Sequence, residues 1–298
     1  MHRRAHLDTL AILTMVVLCA SWGLQQVAIK VANEGISPVF QAGIRSVAAT
    51  ALLWAWCMLR GAPLFNRDGS LVPGIAAGLL FAGEFCLIFW GLSYTTASRA
   101  VIFLYTAPFV VAAGVHVLVP GEKLSRVQVV GLVCAFLGVV AAFGDGLRLA
   151  DRHMLIGDAM LLGAAVLWGA TTVLIKASRL ATIPASKTLF YQLAASALVL
   201  PPLSWALGEP GVVEITPLVA VSVAYQAVGV AFISYLAWFW LIAHYPASRL
   251  SSFSFLTPLF GMLAGWLLLD EQVTWALALA LVLVGLGIYL VNRAPPRR

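Results

Sequence analysis

One carboxyl stands apart in this 298-residue chain. Glu84 sits in the middle of the apolar run PGIAAGLLFAGEFCLIFWGL (73–92), with no other charged residue between Asp68 and Arg99. A charge at a bilayer centre costs about 2.5–3.5 kcal/mol on insertion scales, so a carboxyl there needs a use. It could line a cavity and hold a cation, or couple cargo to protons by changing charge as access alternates. The structural alternative is a protonated Glu that bonds a neighbouring helix. Around it in sequence lie aromatic, amide and hydroxyl side chains with few charges. Trp22 is followed one turn on by Gln25 and Gln26, and Trp168 by Thr171 and Thr172, on single helical faces. Ser234, Tyr235 and Trp238 share a stripe, and Tyr105 with Pro108 and Ser251 with Phe255 and Pro258 complete the set. Pro108 and Pro258, inside helical runs, free the carbonyls of Leu104 and Ser254 and bend the chain. Freed carbonyls suit an ammonium group, and aromatics with one or two polar partners suit an apolar zwitterion. The proline kinks read equally as packing, and the alternative for the tryptophans is an interfacial anchor.

Other chemistries find no support. The five histidines are scattered and form no catalytic cluster, so the chain reads as no enzyme. The four cysteines lie in apolar runs without a Cys-x-x-Cys pair, so neither a disulfide nor a metal is expected. No glycine-rich lysine motif for ATP occurs, and no cofactor is implied. Cargo rich in phosphate would require basic residues along the path. Arg45 and His116 are the only candidates, and Arg45 is expected to snorkel or to pair with Glu34.

The elements that position these groups follow from composition. Hydrophobic residues make up 62% and charged residues 10%, with mean hydropathy +0.97. Soluble domains are about 45–50% apolar and about 25% charged, so this is an integral membrane protein. The apolar runs are about 20 residues long, which suits helices rather than barrel strands. Ten spans are predicted: 8–30, 38–59, 71–93, 98–119, 126–143, 157–178, 185–207, 217–243, 247–269 and 274–291. The first is too long for a signal-peptide core and is read as retained. Thirteen Lys and Arg fall on the face carrying both termini and four on the other, which places both termini in the cytoplasm. The net charge of +6 therefore sorts by membrane side and offers no nucleic-acid patch.

The chain also repeats itself. Trp22-Gly23, Lys30 and Pro38 recur as Trp168-Gly169, Lys176 and Pro184 at an offset of 146. Phe89-Trp90, Ala97-Ser98-Arg99 and Pro108 recur as Phe239-Trp240, Ala247-Ser248-Arg249 and Pro258 at 150, and Glu122 recurs as Glu271 at 149. Each half holds five spans, an odd number, so the second half enters the membrane inverted. The fold class is an all-α membrane protein of ten transmembrane helices in two inverted five-helix repeats. The divisions are 1–143, a connecting loop 144–156, and 157–298. Such repeats recur in secondary transporters that rock around a midplane site. The mates are unequal at two places: Glu84 faces Ser234 and Arg45 faces Tyr191. Gly74-x-x-x-Gly78, Gly261-x-x-x-Gly265 and Gly131…Gly138 read as close helix packing, and Asp158 as an anion at the start of span 6.

These repeated residues, with Thr106-Ala107-Pro108, Gly121-Glu122-Lys123-Leu124, Thr257-Pro258 and Asp270-Glu271-Gln272-Val273, resemble the EamA-type drug/metabolite transporters over nearly the whole chain. The general likeness is greatest to the YddG-type aromatic amino-acid exporters. The resemblance implies ten-helix carriers of the bacterial inner membrane, with spans 1, 3, 4, 6, 8 and 9 around a cavity. It implies export of aromatic or other hydrophobic amino acids by alternating access, with small molecules and the bilayer as partners and no obligate protein partner. It also implies that Glu122 and Glu271 hold loop geometry. The alternative is an exporter of cationic or amphipathic drugs, since Glu84 among aromatics could hold a cation.

Overall fold

Hydrocarbon offers no hydrogen bonds, so a chain this apolar must satisfy its backbone within each segment. The computed structural model describes residues 6–92, 94–95, 97–144, 151–269 and 275–293, and among these no strand forms. The first half comprises α1 (Thr9–Asn33), α2 (Pro38–Leu59), α3 (Leu71–Gly91), α4 (Ala97–Leu104), α5 (Ala107–Leu118) and α6 (Arg126–Phe143). The second comprises α7 (Arg152–Ala177), α8 (Ala185–Ala206), α9 (Pro217–Ala224), a π-helical stretch (Tyr225–Ser234), α10 (Tyr235–His244), α11 (Ala247–Phe253), α12 (Leu256–Leu269) and α13 (Trp275–Asn292). Among the described residues, eight stretches are long and apolar enough to cross a membrane, and α11 with α12, then α13, complete the ten. The polarity is inside out for a soluble protein. Leu198, Val72 and Val282 are exposed while Gln41, Arg45, Gln192 and Ser196 are fully buried.

Sequence explains the helix ends. Asp8 caps α1 by accepting from Ala11 N–H (2.9 Å), and Asp151 caps α7 by accepting from Met154 N–H (2.8 Å). The second cap starts α7 at Arg152, five residues before the expected start of span 6. Two spans are broken rather than bent. The chain leaves the helix at Tyr105–Thr106 and at Ser254–Phe255, between α4 and α5 and between α11 and α12. The prolines lie just inside the second helix of each pair, where a missing N–H costs little. The breaks tighten locally: Thr106 N–H donates to Phe103 O (3.2 Å) and Thr257 N–H to Ser254 O (2.9 Å). Thr106 and Ser254 hydroxyls donate to Phe103 O and Ser251 O, occupying those carbonyls.

The repeats pack as mirror images. Span 1 of each half lies on the broken span of the other: α1 on α12, and α7 on α5. The duplicated Trp-Gly pair makes the contact. A Cβ at Gly23 would stand 2.6 Å from Gly261 N, and one at Gly169 would stand 2.5 Å from Val110 Cβ. The last helices pair across the halves, α6 on α13, where a Cβ at Gly131 would meet Gly287 O at 2.7 Å. Gly74 and Gly78 close α3 on Tyr191 of α8. These small residues let backbones approach where no hydrophobic drive separates lipid from protein.

On the face carrying the N-terminus, Lys187 is buried, though it was counted among the loop charges. Its Nζ donates to Asn66 O (2.9 Å), Asn66 Oδ1 (2.7 Å) and Asp68 Oδ2 (2.9 Å), pinning the α2–α3 loop to α8. Hydrogen bonds from Ser70 and Lys187 hold the Asp68 carboxyl well below the usual carboxylate range.

Two outcomes follow. Gly287→Val forces α13 from α6 and should lower stability by about 1–3 kcal/mol. Gly285→Val, at a site with nothing within 4 Å, should change it little; thermal melting in detergent compares them. For Asp68, a lowered carboxyl pKa stabilises the fold above the unfolded value of about 3.9 and is lost as pH falls. The difference in melting temperature between the parent and Asp68→Asn should therefore be constant at neutral pH and shrink below about pH 4.

Candidate functional site

Midway along the bundle, side chains from α1, α2, α3 and the π-helical span converge. Trp22 Nε1–H donates to Ser234 Oγ (2.9 Å), and Ser234 in turn donates to Val230 O (2.6 Å). The Trp22 ring meets Trp238 edge-on at 5.6 Å and Tyr235 at 6.4 Å. Tyr235 meets Phe81 at 5.8 Å, and Phe81 meets Phe85 at 4.8 Å. Such edge-to-face pairs add about 0.5–1.5 kcal/mol beyond burial. The π-helix presents Ser234 to α1 and grips that helix: Tyr225 Oη donates to Ser21 O (2.9 Å), and Gln226 Nε2 donates to Ala28 O (3.3 Å). A π-helix is rare and is often found at functional sites, and nothing in the apolar pattern of 217–243 announces it.

Arg45 was misjudged from sequence. It neither snorkels nor pairs with Glu34; it is fully buried, with its guanidinium 4.2 Å from the centre of the Phe85 ring. Glu84 and Tyr235 lie within its electrostatic reach. Arg45 occupies a buried face of α2, one turn beyond Gln41, and α2 packs on α8. An arginine near a span end reads as an anchor; only the packing of α2 on α8 turns it inward.

Two clasps bracket this centre, one on each membrane face. On the far face, Asp158 of α7 accepts from Thr95 Oγ1 (2.8 Å) and forms a buried ion pair with Arg99, whose Nε lies 3.1 Å from each carboxylate oxygen. Asp158 is therefore a charge-pair member rather than a lone anion at a helix start. On the N-terminal face, Tyr245 Oη donates to Asp8 Oδ2 (2.9 Å), and Arg249 Nη1 lies 2.9 Å from His6 Nδ1. Thr95, Arg99 and Asp158 match Tyr245, Arg249 and Asp8 with the order of the halves exchanged, each pair 150 positions apart. The N-terminal face carries a further tie. Lys176 Nζ lies 2.9 Å from Glu122 Oε1, Ala247 N–H donates to Glu122 Oε2 (2.7 Å), and Lys176 also donates to Tyr245 O. Glu122 thus joins the α5–α6 turn to α7 and α11, while its mate Glu271 lies outside the described residues.

The far face opens into a groove of about 390 Å3 lined by Val39, Phe89, Trp90, Tyr94, Leu207 and Glu209. Phe89, Phe85 and Phe81 descend from it along one face of α3, with Phe85 and Phe89 6.3 Å apart. Glu209 accepts from the N–H groups of Val39 (3.1 Å) and Phe40 (3.0 Å) and from Ser204 (2.7 Å), fixing the start of α2 at the rim.

The sequence pattern of the EamA-like transporter family matches residues 9–144 and again 155–293. This chain belongs to that family. It is 25% identical to the uncharacterized transporter YoaV of Bacillus subtilis over 90% of this chain and 92% of that one. It is 27% identical to a probable amino-acid metabolite efflux pump of Escherichia coli, over 94% and 93%. A solved crystal structure at 22% identity superposes with a TM-score of 0.81, covering 95% of this chain and 96% of that one, and so shares its fold. The chain is accordingly a multi-pass membrane protein built as an EamA transporter.

Within this EamA fold the expected site residues divide into groups. Trp22, Glu84, Ser234, Tyr235 and Trp238 share the central cluster, and Gln25 is buried on α1 nearby. The side chain of Gln26 lies outside the described residues. Tyr105 and Trp168 meet edge-on at 5.9 Å. Phe255 is fully buried with Phe109 (6.3 Å) and Phe136 (6.5 Å), and Pro108 and Pro258 sit just past the two helix breaks. The hydroxyls of Thr171, Thr172 and Ser251 donate to Leu167 O, Trp168 O and Ser248 O on their own helices.

Lys176→Met would leave the Glu122 carboxylate buried without its cation. The expected loss is about 3–5 kcal/mol, with much of it recovered in the Lys176→Met/Glu122→Gln double variant. Thermal unfolding of the three variants in one detergent measures it.

Proposed function

We propose that this EamA transporter is a secondary carrier that exports aromatic or other hydrophobic amino acids from the cytoplasm. The observation that carries the reading is the aromatic centre of Trp22, Phe81, Phe85, Tyr235 and Trp238 beside the Glu84 carboxyl and the Arg45 guanidinium. Aromatic walls match an apolar side chain, and two opposite charges match a zwitterion. The likeness to a protein named a probable amino-acid metabolite efflux pump supports the same class. In this reading the membrane is the bacterial inner membrane and both termini are cytoplasmic, as the thirteen-to-four distribution of Lys and Arg favours.

Alternating access follows from the two clasps. Their mirror relation makes the two end states similar in energy, as exchange between them requires. Opening one face breaks Asp158 with Arg99 and Thr95; opening the other breaks Asp8 with Tyr245 and Glu122 with Lys176. Glu84 then serves cargo recognition first, with proton coupling as a second use of the same carboxyl.

Proteoliposomes holding the purified chain should take up labelled phenylalanine saturably, with competition by tryptophan and methionine but not by a sugar phosphate. Glu84→Gln should weaken uptake at least tenfold. Uptake equal to that of empty liposomes, by protein that is folded and inserted, would overturn the amino-acid reading and favour cationic drugs.

A further inference from the structure

The Arg45 guanidinium is the one fully buried arginine among the described residues. Its Nε, Nη1 and Nη2 make no hydrogen bond there, and no ion pair joins it to Glu84. The Phe85 ring face lies 4.2 Å away, and Tyr235 and Glu84 are within its electrostatic reach. Other buried polar groups on α2 and α8 are also unpartnered: Gln41 Oε1, both amide atoms of Gln192, and Ser196 Oγ. Three other buried cations are matched by carboxylates within the protein: Arg99 by Asp158, Lys176 by Glu122 and Lys187 by Asp68. A guanidinium presents a planar fork of donors that suits a carboxylate held through two parallel hydrogen bonds. Arg45 also has no counterpart in the second half, where Tyr191 stands and bonds Ser70 at 3.0 Å. It is therefore not part of the duplicated scaffold.

We propose that Arg45 and Glu84 are the two poles of a head-group subsite. Arg45 takes the α-carboxylate of the cargo and Glu84 takes its α-ammonium, while Phe81, Phe85, Tyr235 and Trp22 surround the side chain. This rests on the amino-acid reading and narrows it to cargo that carries both charges. The selectivity follows from pairing. A zwitterion satisfies both poles; an amine lacking the carboxylate leaves Arg45 buried and unpaired, and an acid lacking the ammonium does the same to Glu84.

The test uses three compounds with one ring: phenylalanine, phenethylamine and 3-phenylpropionate, each against the full-length chain in proteoliposomes. The parent protein should carry phenylalanine and be inhibited at least tenfold more weakly by either of the others. Arg45→Gln should raise the KM for phenylalanine at least tenfold while strengthening inhibition by phenethylamine. Glu84→Gln should shift preference the opposite way, towards 3-phenylpropionate. Arg45→Lys keeps the charge, loses the fork and should fall between parent and Arg45→Gln. Variants are first checked for a monodisperse elution profile; if one does not fold, the inhibition pattern of the parent protein decides. Phenylalanine transport with unchanged KM in folded Arg45→Gln, or a parent protein inhibited equally by all three compounds, overturns the subsite but leaves the amino-acid carrier standing. A parent protein that carries phenethylamine and not phenylalanine overturns both.

Discussion

In hydrocarbon every polar group must find its partner within the protein, and this single constraint orders the whole structure. It fixes the chain as helices and turns the exposed faces apolar. It drives the charges at the span ends into pairs. Asp158 with Arg99 and Glu122 with Lys176 are buried pairs that would weigh against stability in a soluble core unless well bonded. Here they tie helices from opposite halves at the two membrane faces. Their energy falls where a carrier must open and close.

The inverted repeat gives these ties their relation. Tyr245 and Asp8 repeat Thr95 and Asp158 on the opposite face, and Gly23 against Gly261 repeats Gly169 against Val110–Val111. Mirror contacts imply mirror conformations, because what one half does at one face the other can do at the other. The repeat relation fails at the proposed cargo site. Glu84 and Arg45 have Ser234 and Tyr191 as mates, and the π-helix of the second half has only regular α3 as its mate. The proposed recognition of an asymmetric cargo rests on these departures from the repeat.

The helix breaks show how local chemistry and packing divide the work. Pro108 and Pro258 announce an interruption, since neither can donate to the turn before it. Whether the chain bends or breaks depends on what takes up the freed carbonyls. Thr106 and Ser254 take up nearby ones with their own hydroxyls, and the chain leaves the helix for two residues. The Thr171, Thr172 and Ser251 hydroxyls meet the same constraint by bonding to their own helices, an option that spacing alone does not separate from facing a cavity.

Much of this protein was legible in its residues. Continuous apolar runs of membrane length can only be helices, and an odd number of spans per repeat can only invert. Paired Trp-Gly and Glu positions marked the repeat before any contact was known. Glu84 declared itself because a charge amid twenty apolar residues has no cheap explanation. Arg45 did not, because an arginine a turn or two from a span end has two destinations, the interface and the core. The choice between them depends on which face of α2 meets α8. Likewise Asp158 reads as an anion at a helix start, and its partners Thr95 and Arg99 lie about sixty positions away, beyond any local pattern. The sequence by itself determined the membrane, the helices and the inverted repeat, since hydropathy and periodicity are local properties. The tertiary structure alone decided which charges meet, because that depends on the rotation of each helix about its axis, which is set by its neighbours.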